Sequence, residues 1–287
     1  MKTTVIYHGN CYDGFGAAWA ANKKFFGEGQ KVEYIPGLYG MEFPFEAWEG
    51  NLYILDFSFP KQIIGSRQLV DDYVLNIGEF KVIDHHKTAE ADLRDYPGCT
   101  IFNMAKSGAV LAWEFFHPGK PVPILLQYVQ DRDLWKFEMP FSREIDCYIK
   151  SLPFDFRAWD EAEIMFQHHI NQIITESKGA YRYQRAMVDV MCNNYVVRNI
   201  AGYPVPITNA TVFFSEVGEE LCKRFPDANF AAYYLDRKDG RRQFGLRSRN
   251  GFDVSEVAKK FGGGGHQASA GFVIDLAALE APWNTNA

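Results

Sequence analysis

The chain has 287 residues, 47% of them hydrophobic and 23% charged, which supplies enough apolar side chain for one or two cores and excludes a disordered polymer. Its formal net charge of −6 excludes a surface that gathers long polyanions over a broad basic face, so no long duplex DNA is expected as a partner. No apolar run reaches the ~18 residues of a membrane span, and Met1-Lys2-Thr3-Thr4-Val5 leads into a strand-like run without a signal peptide's apolar stretch. A cytoplasmic protein with no membrane partner is expected. The five cysteines, Cys11, Cys99, Cys147, Cys192 and Cys222, are odd in number and form no C-x-x-C pair, so reduced thiols are expected rather than a disulfide framework or zinc ribbon.

In chain order, Val5-Ile6-Tyr7 reads as a short strand ending at His8. Gly9 to Gly14 reads as a loop, and a helix is expected from near Phe15 through the alanines that follow. Strand, loop and helix form the first half of a βαβ unit. Val32 to Ile35 and Leu52 to Leu55 are the next strands, the second ending at Asp56. Pro60 suits a first helical turn, and Ile63, Ile64, Leu69, Val70, Tyr73 and Val74 recur at helical spacing. A further buried strand ends at Asp84-His85-His86. Thr100 to Phe102 is extended, Ser107 is the expected N-cap of a helix from Gly108 to Phe116, and a fifth element from Ile124 to Val129 runs into Asp131-Arg132-Asp133.

From Trp159 to Cys192 the pattern is a long helical region, expected to be interrupted near Gly179 and to connect two domains. Shorter strands follow: Tyr195 to Ile207, then Ala231 to Leu235 and Arg241 to Arg247 around the turn Lys238-Asp239-Gly240, with a helix from Ser215 to Phe225. Asp253 and Glu256 make a capping-box-like pair at the start of a helix running to Phe261. The expected fold is α/β, with a mostly parallel sheet domain flanked by helices (1–158), a helical connector (159–192) and a smaller α/β domain (193–287).

Three apolar strands thus finish on ionisable residues, at His8, at Asp56 and at Asp84 with His85 and His86. Open α/β sheets bind ligands at strand carboxyl ends, so these residues are expected to converge on one site. In the second domain, Gly262-Gly263-Gly264-Gly265-His266 can present backbone N–H groups as a nest for phosphate. Arg237, Lys238, Arg241, Arg242, Arg247 and Arg249 lie nearby in sequence, a local cation cluster against Asp236 and Asp239.

In this order and spacing, His8 to Gly14, Asp56, Asp84-His85-His86, Asp131 and the distal glycine-histidine run resemble the motif set of the DHH phosphoesterase superfamily with a C-terminal DHHA1 domain. The resemblance implies two Mn²⁺ ions, with Mg²⁺ an allowed substitute, and hydrolysis of phosphodiester or phosphomonoester bonds of short oligonucleotides or nucleotides by metal-activated water. It implies His8 as ligand of one metal, Asp13, Asp131 and His85 as ligands of the other, and Asp56 as a bridge. Asp84 would orient His85, and His86, Arg247, His266 and Gly262 to Gly265 would meet substrate phosphate. A homodimer is allowed by it. In the family's first motif two acidic residues follow the histidine, whereas here only Asp13 is acidic and the other place falls on Asn10, Cys11 or Tyr12; one tight and one weak metal are therefore expected. Two alternatives stand beside this reading, an inorganic pyrophosphatase or polyphosphatase and a non-catalytic nucleotide-binding module. The aromatic content and the Arg-bearing hairpin favour a base-containing substrate over bare phosphate.

Overall fold

Alternate residues of the first strand, β1 (Thr3–His8), enter opposite cores: Val5 packs with Trp19 and Trp159, Ile6 with Leu52, Phe57 and Leu93. That alternation is what a strand covered on both faces requires. The computed structural model describes residues 2–38, 40–44, 50–64, 77–96 and 98–277. Contacts divide the chain into two units, Met1–Tyr181 and Arg182–Ala287.

In the first unit, β1 is followed by α1 (Tyr12–Gly27), β2 (Val32–Gly37), β3 (Gly50–Leu55), α2 (Lys61–Ile64), β4 (Ile77–Asp84), α3 (Lys87–Leu93) and β5 (Thr100–Phe102). The strands form one parallel sheet in the order β2-β1-β3-β4-β5. The order reverses beside β1, so the carboxyl ends of β1 and β3 flank a topological switch point, the place where such sheets bind ligands. The rest of the helix expected after Pro60 lies outside the described residues. Helices α4 (Gly108–Phe116), α5 (Ile124–Asp133), α6 (Ser142–Ile149) and α7 (Phe156–His168) complete the unit. Ser107 caps α4 as expected, accepting from Val110 N. The fifth element is a helix that runs on through Asp133.

Helix α8 (Ile170–Asn193) continues unbroken through Gly179, and the interruption falls instead at His169, whose φ is −137°. An exposed glycine costs a helix only ~1 kcal/mol, which the packing of Ile173 and Val188 outweighs. Trp159, Ala162 and Phe166 of α7 are buried in the first unit's core.

The second unit contains β6 (Val196–Ile200), β7 (Tyr203–Asn209), α9 (Phe214–Arg224), β8 (Ala231–Asp236), β9 (Arg241–Arg247), α10 (Val254–Lys259), β10 (Gly264–His266) and β11 (Ser269–Asp275). Its six strands run β10-β11-β9-β8-β7-β6, antiparallel except where β7 meets β8. Val205, Phe230, Leu246, Val257 and Phe272 fill one core and Cys192, Val217, Leu221 and Tyr233 another. Asp253 caps α10 through Ser255 N at 2.9 Å, while Glu256 pairs with Lys259 rather than closing a capping box. The fold is the α/β architecture expected, a parallel-sheet unit and a second unit on a mixed sheet. Among the described residues no helix is long and apolar enough to cross a membrane.

Candidate metal centre at the carboxyl edge of the parallel sheet

His8 ends β1, Asp56 follows β3, and Asp84 ends β4 with His85 and His86 immediately after it. Because the strands are parallel and adjacent, their carboxyl ends come out on one edge. His8 Nδ1 lies 3.3 Å from Asp56 Oδ2, and His85 Nε2 lies 3.2 Å from Asp56 Oδ1, 3.5 Å from Asp133 Oδ2 and 3.7 Å from Asp13 Oδ2. The structure thus brings together His8, Asp56, Asp84, His85 and His86 from the three strand ends and Asp13 from the first turn of α1.

Two close backbone approaches build this edge. A Cβ on Gly14 would sit 2.2 Å from the His8 carbonyl oxygen, and one on Gly108 would sit 2.4 Å from Asp56 Cβ. Without side chains, these glycines let the N-termini of α1 and α4 close on the site. Gly108 N and Ala109 N then donate to Asp13 Oδ2 at 2.7 Å and Oδ1 at 3.0 Å, so the start of α4 holds the Asp13 carboxylate. Asp56 has φ 52°, a left-handed conformation uncommon for a non-glycine residue and of the kind that persists where a site requires it.

Asp131 is elsewhere. Its Oδ1 accepts from Glu138 N at 2.9 Å and its Oδ2 from Met139 N at 3.1 Å, so both oxygens organise the loop after α5. Asp133 takes the place beside His85 and Asp13. Residues two apart on a helix point about 200° away from each other: Asp133 follows Leu126 and Val129 on one stripe, while Asp131, itself buried, follows Tyr128 on another. Helical spacing separates the two acids. Asp84 also acts differently from expectation. Its Oδ1 accepts from His85 N at 2.7 Å and His86 N at 3.2 Å and holds His86 Nδ1 at 2.7 Å, so the ring it orients is that of His86. A carboxylate at the end of a strand folds most readily onto the amides of the turn that follows.

The electrostatics are those of crowded, dehydrated acids. Burial, then the charges of Asp56 and Asp133, push the Asp13 carboxyl well above its ordinary range, and burial with Asp56 raises Asp133. Burial would lower His85, but its contact with Asp56 and the charges of Asp13 and Asp133 carry it up to about 10. Burial acts to raise Asp56, yet His8 and His85 outweigh it and hold that carboxyl below the usual range. Burial likewise works against His86, which Asp84 raises. Asp56 and Asp84 are 1% and 0% exposed, and Asp56 Oδ1 and Asp84 Oδ2 have no hydrogen-bond partner. The Asp56 oxygen is near His85 Nε2 without meeting hydrogen-bond geometry.

These residues fit a metal centre. Ligand atoms of Asp13, His85 and Asp133 lie within 4.8 Å of one another, as do those of His8, Cys11 and Asp56, and those of Asp56, Asp84, His85 and His86. Buried carboxylate oxygens without donors cost several kcal/mol unless a cation meets them. Imidazole and carboxylate are donors that Mn²⁺, Mg²⁺ and their neighbours accept.

In the second unit, sheet register sets His266 opposite Ser269, and Ser269 opposite Arg247, in one row across three strands. Arg247 donates to Ser215 Oγ at 3.1 Å and packs its stem on Gly218, where a Cβ would sit 2.4 Å from Arg247 Cγ. The four glycines have structural duties. Gly262 N and Gly263 N donate to the carbonyls of Lys259 and Ala258 and close the C-terminus of α10, while Gly264 and Gly265 pair with β11. Of the cation cluster, Arg237 and Arg241 pair with Asp239 and Arg242 with Asp236.

Comparison with known proteins places this geometry. A family model for the DHHA1 domain matches residues 192–281. The chain is 32% identical to uncharacterized protein R106 of Acanthamoeba polyphaga mimivirus, over 94% of this chain and 67% of that protein. It is 25% identical to oligoribonuclease NrnB of Bacillus subtilis (strain 168), over 94% of this chain and 72% of that one. Among solved structures, the DHH domain of a protein described as belonging to a family of ribosomal proteins is similar with a TM-score of 0.62 at 12% identity, over 98% of this chain and 84% of that one. A parallel-sheet unit with acids and imidazoles on its carboxyl edge, followed by a DHHA1 match, defines the class. The chain belongs to the DHH phosphoesterase superfamily.

Proposed function

We propose that this protein is a Mn²⁺-dependent phosphohydrolase that cleaves phosphodiester or phosphomonoester bonds of short oligonucleotides or nucleotides. The observation that carries this reading is the crowding of the buried Asp56 and Asp84 carboxylates, one Asp84 oxygen without a hydrogen-bond partner among the described residues, with three imidazoles and two further acids. A relative named as an oligoribonuclease, aligned over 94% of the chain, supports the substrate class.

Bound metal supplies activation of water and neutralisation of phosphate charge. Asp13, His85 and Asp133 would hold one ion and His8 the other, with Asp56 within reach of both groups. The start of α4 fixes the Asp13 carboxylate so that it needs no rearrangement to bind. Asp84 fixes His86 through Nδ1, which leaves Nε2 to hold a proton against a phosphate or leaving oxygen. Residues 1–158 carry the reaction and residues 193–287 contact substrate. There Arg247 and His266, in one row across the sheet with Ser269 between them, meet phosphate, while the glycine run closes α10 and pairs with β11. A net charge of −6 offers no basic track to a long strand, so short substrates are favoured. Free thiols and reduced chemistry suit the cytoplasm.

The test is a substrate panel with Mn²⁺ and with Mg²⁺: dinucleotides and tetranucleotides, cyclic nucleotides, a bisphosphorylated nucleotide, a long single strand and pyrophosphate. The proposal expects kcat/KM to peak at the dinucleotide to tetranucleotide or bisphosphorylated substrates. Efficiency that rises with strand length, or turnover of pyrophosphate alone, contradicts it.

A further inference from the structure

The first motif lacks one of its two acids, and the structure shows what stands in that place. Tyr12 is engaged elsewhere: its hydroxyl donates to Lys150 O at 2.6 Å and its ring packs on Phe154. Asn10 is exposed, with φ 56°. Cys11 remains. Its Sγ, an imidazole nitrogen of His8 and a carboxylate oxygen of Asp56 lie within 4.8 Å of one another, a spread that one cation reaches at about 2.0–2.4 Å from each.

We propose that Cys11 Sγ is a ligand in the His8–Asp56 site, making that site a mixed nitrogen, sulfur and oxygen centre that selects a borderline divalent cation such as Zn²⁺, Co²⁺ or Fe²⁺ over Mn²⁺ or Mg²⁺. The inference rests on the metal centre of the proposed function and specifies the chemistry of one half of it. Asp56 is 1% exposed and its Oδ2 lies 3.3 Å from His8 Nδ1, so a buried carboxylate and an imidazole already meet at this place, and the thiol supplies a third donor. Cys11 is the N-cap residue of α1, which sets its thiol over the first turn of the helix, beside Gly14. A helix N-terminus also favours the thiolate form.

A cysteine that merely fills space would sit among apolar groups. This one lies beside an imidazole nitrogen of His8 and a carboxylate oxygen of Asp56. When a divalent ion binds, the S–H bond breaks, the sulfur lone pair forms the bond to the metal, and one proton leaves to solvent for each ion bound. Thiolate replaces carboxylate at equal charge, so the net charge of the site is kept while its softness changes.

The experiment is a Co²⁺ titration of the metal-free full-length chain, read by sulfur-to-cobalt charge-transfer absorption in the near ultraviolet and by bound cobalt at equilibrium dialysis. Wild type is compared with Cys11→Ser and Cys11→Asp, each checked for fold by circular dichroism. The other four cysteines stay in all three proteins and serve as the internal control. The expected result is a charge-transfer band in wild type that disappears in both variants, with Cys11→Asp still binding cobalt and its preference for Zn²⁺ over Mn²⁺ reduced about tenfold or more. Cobalt bound by wild type with no such band, or an equal band in Cys11→Ser, overturns the thiolate ligand and leaves the phosphoesterase reading standing. Absence of any bound cobalt overturns both.

Discussion

Charge is handled in opposite ways at two places in this chain. In the second unit Arg224 bonds Glu220 at 2.9 Å, Asp189 at 2.7 Å and Asn193 at 2.7 Å, and Arg185 reaches Glu220 at 2.9 Å. Each head group there has a partner of opposite charge or matching polarity. At the carboxyl edge of the parallel sheet, Asp13, Asp56, Asp84 and Asp133 are gathered around His8, His85 and His86, and a buried Asp84 oxygen is left over. The first arrangement is complete by itself and serves the fold. The second leaves acids crowded and a buried oxygen without a donor among the described residues, and that incompleteness marks it as a site.

The largest expected effect breaks the incomplete cluster. Asp56→Asn keeps a side chain that tolerates the left-handed backbone at this position but removes the charge shared by both halves of the site. Turnover is expected to fall about a thousandfold or more, with the circular dichroism spectrum retained. Unchanged turnover would move the site elsewhere.

Next comes a pair of neighbours on one helix. Asp133→Asn should weaken metal binding and turnover while leaving stability nearly untouched. Asp131→Asn should do the reverse, costing about 1–2 kcal/mol in denaturant unfolding through its two backbone hydrogen bonds, with metal stoichiometry unchanged. If Asp131→Asn abolished metal binding in a protein of wild-type stability, the roles drawn from the helix would be reversed.

In the complete network, Arg224→Ala is expected to cost about 1–2 kcal/mol, since Glu220 is largely enclosed and would keep only Arg185. Mn²⁺ binding should be unaffected. A loss of metal affinity in this variant would show that the two clusters are not separable.

The smallest effect is a difference in sign with pH. Burial works to raise Glu220, but Arg224 and Arg185 outweigh it and hold the carboxyl below its usual value. Its contribution is therefore present above the unfolded pKa and lost as pH falls through the lower folded one. His85 is raised to about 10, so in the metal-free protein its contribution is present below an unfolded pKa of about 6.5 and lost as pH rises through the folded value. Hydrogen exchange on the metal-free chain should show the β1–β3–β4 edge loosening as pH rises toward about 10 while the α8–α9 contact holds, and the α8–α9 contact loosening in acid, where the lowered Asp56 carboxyl also gives up its contacts. An α8–α9 contact that loosens in alkali together with the edge would contradict the assignment.

The edge was legible in the sequence because runs of Val, Ile and Leu that stop at His8, Asp56 and Asp84 predict strand ends without any knowledge of packing. What lay beyond the sequence depended on orientation. Asp131 and Asp133 are equivalent as letters and differ only once α5 is known to be a helix. Asp84 could serve either histidine, and the turn after β4 gives it His86. Gly262 to Gly265 suggested a phosphate nest by composition, yet the same absence of side chains is what a helix end and a hairpin packed on Phe272 demand. Propensity alone places the connector's break at Gly179, and tertiary packing overrides it.

The most direct test follows dinucleotide hydrolysis as Mn²⁺ is restored to the chelator-stripped protein, wild type beside Asp56→Asn. The account predicts no hydrolysis without metal, recovery in wild type as the ion is added, and none in Asp56→Asn at any concentration that saturates wild type. Hydrolysis that persists in chelator, or that returns equally in Asp56→Asn, would contradict a reaction centred on the buried carboxylates of the sheet edge.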